Sequence, residues 1–149
     1  MLDGQSFTIQ EPSRPQKLTL FLEEPALVRM KPANQKKFFG KKGEEIASEI
    51  LVKNGYTIID RNFSSRFGEI DIVAEEGDTL VFVEVKTRKD VRFGLPQEAV
   101  TASKLGKIKK TAEYYSLIHP ELPKKIRIDV VALIVNGDTI EYSKIIKVY

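Results

Sequence analysis

Two acids and a lysine in a short hairpin offer the clearest chemistry in the sequence. Asp71 sits in Gly68-Glu69-Ile70-Asp71-Ile72-Val73-Ala74, and Glu84 and Lys86 sit in Leu80-Val81-Phe82-Val83-Glu84-Val85-Lys86-Thr87-Arg88. Both runs alternate and are rich in Ile and Val, with Gly77-Asp78 between them, the pattern of two strands around a tight turn. If Gly77-Asp78 is a two-residue loop, facing residues have numbers that sum to 155. Asp71 then lies opposite Glu84 and Glu69 opposite Lys86. The other face pairs Ala74 with Val81, Ile72 with Val83 and Ile70 with Val85, all apolar, and a slip of one residue would mix the faces. Opposed side chains are rooted about 5 Å apart. Two carboxylates there repel unless something positive lies between them, and a divalent cation with oxygen ligands at about 2.1 Å fits that gap. Lys86 follows Glu84 on the same face, roughly 7 Å along the strand.

Such a set suits phosphodiester hydrolysis. That reaction needs a metal to polarise the phosphate, an activated water and a positive group for the charge of the transition state. Asp71 and Glu84 would hold the metal. Lys86 would orient or deprotonate the water, or contact the scissile phosphate. An ordinary explanation competes: Glu69 facing Lys86 is a cross-strand ion pair, and a solvated antiparallel face often carries mixed charge. With no cysteine and a single histidine, His119, neither a thiolate nor an imidazole cluster can form. A metal would be held by oxygen, which favours magnesium or manganese.

The elements that must position these groups are legible from periodicity. Residues 43–54 read as a helix with an apolar stripe of Ile46, Ala47, Ile50 and Leu51, stopped by Gly55. Glu44 points along that apolar side, seven residues before Leu51, where it is either a candidate ligand or a first-turn acid favoured by the helix dipole. Residues 56–63 predict a strand and 64–67 a turn before the hairpin. Residues 91–95 predict a loop, and Pro96 opens a long helix to about Leu117 with Val100, Leu105, Ile108, Ala112 and Tyr115 buried. Residues 126–135 predict a buried strand, Asn136-Gly137-Asp138 a turn and residues 140–148 an edge strand. The order αβββαββ predicts an α/β (α+β) domain with a mixed central sheet flanked by helices. The helical crossover should make the strands around Leu80 and Ile126 parallel.

The 149 residues, 42% hydrophobic, suit one domain with one core. Residues 1–36 hold four of the seven prolines and predict an N-terminal extension of low order, leaving 37–149 as the domain. No run reaches membrane-spanning length, and Leu18-Thr19-Leu20-Phe21-Leu22 is too short for a secretory signal. The expected location is cytoplasmic. Net charge is +3, and its distribution matters more than its size. Lys104, Lys107, Lys109, Lys110, Lys124, Lys125 and Arg127 form one basic group; Lys86, Arg88, Lys89 and Arg92 form another directly after the hairpin. Basic patches beside acids suggest a polyanion, although solvated lysines on a helix face are the common alternative. Arg61 and Arg66 precede the hairpin and could also reach phosphate.

Asp71 followed thirteen residues later by Glu84-Val85-Lys86 resembles the Asp…(Asp/Glu)-x-Lys signature of the restriction-endonuclease-like superfamily, which includes archaeal Holliday junction resolvases. Gly43-Glu44-Glu45-Ile46-Ala47, Arg61-Asn62, Arg66-Phe67-Gly68-Glu69-Ile70-Asp71, Val81 to Arg88, Glu98-Ala99-Val100, Lys104 and Arg127-Ile128-Asp129-Val130-Val131 resemble the UPF0102, or YraN-like, family of predicted endonucleases. The resemblance covers about residues 37–135. It implies a restriction-endonuclease-like core with Glu44, Asp71, Glu84 and Lys86 at the catalytic positions, and with Asp71, Glu84 and Glu44 as ligands of Mg2+ or Mn2+. The wider superfamily often has proline before the aspartate, where Ile70 stands here. The expected function is a metal-dependent endonuclease cutting DNA, branched or structured DNA included, with Arg61, Arg66, Arg88, Lys89, Arg92, Lys104 and Lys107 on the nucleic acid. Relatives of this fold often work as homodimers. The alternative is a non-catalytic nucleic-acid-binding module on a nuclease fold. Family members usually begin shortly before the Gly-Glu helix, so Met30 is a candidate start and residues 1–29 an extension or a misassigned upstream segment.

Overall fold

In the computed structural model residues 32–148 are described, and the expectations for the residues before them, Met30 and the Leu18 segment included, lie outside that span. The elements are α1 (Pro32–Lys53), β1 (Thr57–Ser65), β2 (Gly68–Glu76), β3 (Thr79–Arg88), a 3-10 turn (Pro96–Ala99), α2 (Ala102–Ile118), β4 (Lys125–Asn136) and β5 (Thr139–Lys147). They form one five-stranded sheet in the order β1-β2-β3-β4-β5. Every neighbouring pair is antiparallel except β3–β4. That pair is parallel because the chain must return through α2 to the starting end of the sheet, as a crossover requires.

Alternation in β3 explains the layers. Val81 and Val83 join Ile46, Ala47 and Leu51 of α1 in one core. Leu80 and Phe82 join Ile108, Ala112 and Tyr115 of α2 in the other. Each face of the sheet thus carries one helix, and β3 is buried on both sides over its first half. The hairpin register follows from the turn. Ile72 faces Val83, Ala74 faces Val81 and Glu76 faces Thr79, so each pair sums to 155. Gly77 takes φ 61° in the turn, a conformation that a side chain would strain.

The regular ladder of β2 with β3 stops at Ile72–Val83, one step short of the acids. There the expected apolar pair of Ile70 with Val85 fails: Ile70 packs with α2, while Val85 packs on the α1 side. Strand β2 turns over at Asp71. Its neighbour in β1 by register is Asn62, between Arg61↔Ile72 and Phe63↔Ile70, and Asn62 has φ 53°. Asparagine tolerates that left-handed conformation better than most residues.

Three boundaries differ from expectation. Helix α1 begins at Pro32, not near Gly43, and so crosses the expected limit of the domain at residue 36. Proline suits a first helical turn. The turn before β2 shortens to Arg66-Phe67. The helix expected from Pro96 is broken: Val100 is extended, and Thr101 caps a new helix by accepting from the Lys104 N–H at 3.2 Å. The buried face of α2 is Ile108, Ala112 and Tyr115 as expected, plus Thr111, whereas Leu105 is only half-buried and Val100 lies before the helix. Thr111 escapes a hydrophobic count, yet it buries without loss because its hydroxyl donates to Lys107 O at 2.8 Å.

Candidate active site

The reversal of β2 at Asp71 builds the site. Asp71 Oδ2 accepts the Val85 N–H at 2.8 Å, so a side chain takes over where the main-chain ladder ends. This fixes Asp71 beside Glu84, which alternation sends to the same face as Phe82 and toward α2. The two carboxyls share a hydrogen bond. Glu84 is buried, at 8% exposure. Burial, and then the charge of Asp71, push its carboxyl up to about 7. Asp71 is also raised, chiefly by burial, against the pull of the Val85 N–H, Lys104 and the Glu84 hydrogen bond. The proton therefore belongs to the pair, and both acids hold it more tightly than free carboxyls do.

Glu44 comes from the other side of the sheet, on α1, and reaches the same cavity. Its carboxyl is raised by burial and by Asp71, while a hydrogen bond from Asn62 and the charge of Arg61 work against the rise. Gly43 allows this approach: a Cβ at that position would run into Thr87 Oγ1 of β3. The cavity, about 450 Å³, is lined by Glu44, Asp71, Glu84, Lys86, Arg88 and Lys89, with Phe39 and neighbouring residues of α1 on its other wall. The four residues expected at the catalytic positions, Glu44, Asp71, Glu84 and Lys86, line one cavity together with Arg88 and Lys89, which were expected on nucleic acid. Among the described residues no three acids stand close enough together to form a metal-binding group. Buried Glu84 and half-buried Asp71 supply two carboxylates, and Glu44 faces the cavity from farther off.

Lys86 is half-buried and lines the cavity. Among the described residues no ion pair joins it to Glu69, so the ordinary explanation for that lysine loses its contact. The lysine that does pair is Lys104 of α2, whose Nζ lies 3.6 Å from Glu84 Oε1. It was expected on nucleic acid, and here its charge partly offsets the acid pair. The other expected phosphate contacts divide. Arg61, Arg66, Lys89, Arg92 and Lys107 are exposed. Arg66 lies 4.7 Å over the Phe67 ring and Lys89 4.3 Å over Phe39, and Arg92 is held by Asp90 at 2.7 Å. Arg88 turns inward on its own loop, donating from Nη1 to Phe93 O and to Gly94 O.

Arg127 leaves the basic group altogether. It donates to both oxygens of the fully buried Asp129, to Glu76 Oε2 at 2.6 Å and to the Tyr56 hydroxyl at 3.3 Å. It is a structural charge. The residue that sequence reasoning left without a role at the site is Asn62. An asparagine inside an Ile- and Phe-containing strand is a poor strand former, and that local misfit was the available signal.

A five-stranded mixed sheet, a helix on each face and an acid pair where two strands part make an architecture compatible with the restriction-endonuclease-like α/β fold. Within that class the chain belongs to the UPF0102 family. The model for "Uncharacterised protein family UPF0102" matches residues 43–133, which span Glu44 to the middle of β4. A UPF0102 protein of Syntrophomonas wolfei is 46% identical over 107 residues, covering 72% of this chain and 93% of the relative. One of Caldicellulosiruptor bescii is 50% identical over 99 residues, covering 66% and 83%. One of Dictyoglomus thermophilum is 40% identical over 115 residues, covering 76% and 98%. Among the described residues no helix is long and apolar enough to cross a membrane.

Proposed function

We propose that the protein is a magnesium- or manganese-dependent endonuclease that hydrolyses DNA phosphodiester bonds, with branched and other structured DNA as the substrates of first interest. The observation that carries this reading is the Asp71–Glu84 pair: a buried glutamate interacting with a half-buried aspartate, with Lys86 in the same cavity. Buried like charges cost stability unless a function keeps them. The donor set fits a hard cation. It is all oxygen, and two carboxylates suit magnesium, which usually retains several waters and binds through one or two carboxylates plus phosphate. Bound there, the ion would neutralise the phosphate and polarise its bonded oxygen.

The chain's own residues do the rest. Asp71 is held by the Val85 N–H, so it presents its other oxygen in a fixed direction. Glu84 must give up its proton to serve as a ligand, which a cation promotes and a rise in pH favours. Lys86 holds the attacking water or the scissile phosphate. Glu44, across the cavity, accepts hydrogen bonds from water on the α1 side. Lys104 offsets the charge of Glu84 from α2 and would have to yield that contact for Glu84 to serve as a ligand. Arg61, Arg66, Lys89, Arg92 and Lys107 meet the phosphates flanking the cut.

The Lys104–Glu84 pair also favours a second reading, a nucleic-acid-binding module without turnover, because a lysine already compensates one acid. Incubation with linear, single-stranded, flapped and four-way-junction DNA in magnesium, manganese or chelator separates the two. Cleavage that needs metal and falls at least about 100-fold in Asp71→Ala and Lys86→Ala supports the nuclease. Salt-sensitive binding with no cleavage in either metal supports the binding module. Cleavage that persists in both variants belongs to a contaminant.

A further inference from the structure

Phe93 is 85% exposed, the most exposed large apolar side chain among the described residues, and Val91 beside it is 57% exposed. They lie on the loop between β3 and the 3-10 turn. The loop is not slack. Arg88, which lines the cavity, donates to the main-chain carbonyls of Phe93 and Gly94. Glu98 Oε2 accepts the Leu95 N–H at 2.8 Å, and the Gly94 N–H closes on Val91 O at 2.9 Å. Gly94 takes φ 89°, and a Cβ there would strike the Glu98 carboxylate. The chain therefore spends four hydrogen bonds and a positive-φ glycine on holding a phenyl ring out in water. Two exposed cations lie close to Phe93 in sequence: Arg92 is its neighbour, and Lys89, four residues earlier, lines the cavity. A braced, solvent-facing aromatic on a loop that carries cations, tied through Arg88 to a cavity that would receive a phosphate, has the makings of a stacking platform for an unpaired base.

We propose that Phe93 is a specificity-determining residue that stacks on an unstacked or unpaired base next to the phosphate held in the cavity, so that the protein prefers DNA with single-stranded or branch-point bases over continuous duplex. The proposal deepens the nucleic-acid reading of the same cavity and rests on it. In a perfect duplex every base face is already covered, so the ring finds no partner without paying to unstack a step. At a flap or a junction the face is free, and stacking adds to the sequence-independent phosphate contacts. Val91 widens the apolar contact, and Lys89 and Arg92 meet the phosphates on either side of the base.

The test compares affinities for a blunt duplex, a flapped duplex and a four-way junction of matched sequence, with chelator present so that no cleavage intervenes. The preference for flap and junction over duplex should fall roughly ten-fold in Phe93→Ala and return in Phe93→Trp. The chain contains no tryptophan, so F93W also places a single reporter on the loop, and its emission should be quenched by flapped DNA and not by duplex. An unchanged preference in F93A, or F93W emission blind to unpaired bases, overturns the proposal. So does a fall in self-association of F93A by light scattering with no change in preference, which would make the ring a contact between copies. Cleavage read separately in magnesium keeps the two ideas apart. A Phe93-dependent preference without cleavage retains the stacking role and removes the nuclease. Metal-dependent cleavage with no effect of F93A does the reverse.

Discussion

The molecule buries acids in two places and treats them in opposite ways. Where side chains of β2, β4 and β5 converge across β3, Asp129 and Glu76 are surrounded by Arg127, Lys147 and the Tyr56 hydroxyl. Burial alone would raise the Glu76 carboxyl, but hydrogen bonds from Lys147 and Arg127 outweigh it and hold it below its ordinary value. The Tyr56 phenol is driven up by burial and by the charge of Asp129, and so stays a donor. Every charge there has a partner. Where β2 and β3 part, Asp71 and Glu84 have each other, one N–H and a lysine at 3.6 Å. Both are raised, with Glu84 up to about 7. The first cluster is what a protein builds when a buried charge has only to be tolerated. The second keeps an imbalance that a cation would remove, and the difference marks the end of the sheet on which the proposed function rests.

The sharpest way to break the comparison is to unbalance the balanced cluster. Arg127→Ala leaves Asp129 fully buried without its bidentate partner and should cost about 3–5 kcal/mol, read as a drop in the midpoint of urea unfolding at unchanged slope. A loss below about 1 kcal/mol would mean that the network is not what holds the sheet together there.

The acid pair should answer with the opposite sign. Because the Glu84 carboxyl binds its proton more tightly folded than unfolded, its contribution is fully present below the ordinary glutamate value of about 4.3 and is lost as pH rises toward 7. Above that, Glu84→Gln should stabilise the metal-free protein by on the order of 2 kcal/mol, seen as a higher melting temperature at pH 8 with little change at pH 4. Magnesium should raise the melting temperature of the parent at pH 8 by mass action and do much less for E84Q, which keeps the shape but loses the charge. Equal magnesium shifts in both proteins would exclude Glu84 as a ligand.

The smallest effect belongs to the rim. Lys107→Ala removes an exposed cation and should leave the melting temperature where it is while lowering the salt dependence of DNA binding by about one unit of slope. A slope unchanged by that substitution would take α2 off the DNA face.

Much of this was open to reading from the chain. The alternation of two strands and the Gly77-Asp78 turn dictated the register from Ile72–Val83 to Glu76–Thr79, because a two-residue loop leaves one pairing that keeps apolar with apolar. The crossover helix dictated the parallel β3–β4 pair. Spacing also put Asp71, Glu84 and Lys86 at one end of the sheet, and family resemblance added Glu44. What the sequence could not carry was the reversal of β2 at Asp71. It depends on Asn62 in the neighbouring strand adopting φ 53°, and on the Val85 N–H finding a carboxylate in place of a carbonyl. Nor could it sort the cations. Arg127 and Lys104 look alike in a count of basic residues, yet one is bound to a buried aspartate on its own strand and the other reaches an acid on β3. Periodicity fixes which face a residue takes, since that depends on its nearest neighbours in the chain. Which charge meets which, and which acids are left without a full set of partners, depends on residues far apart in sequence, and only the packed sheet and its two helices decide it.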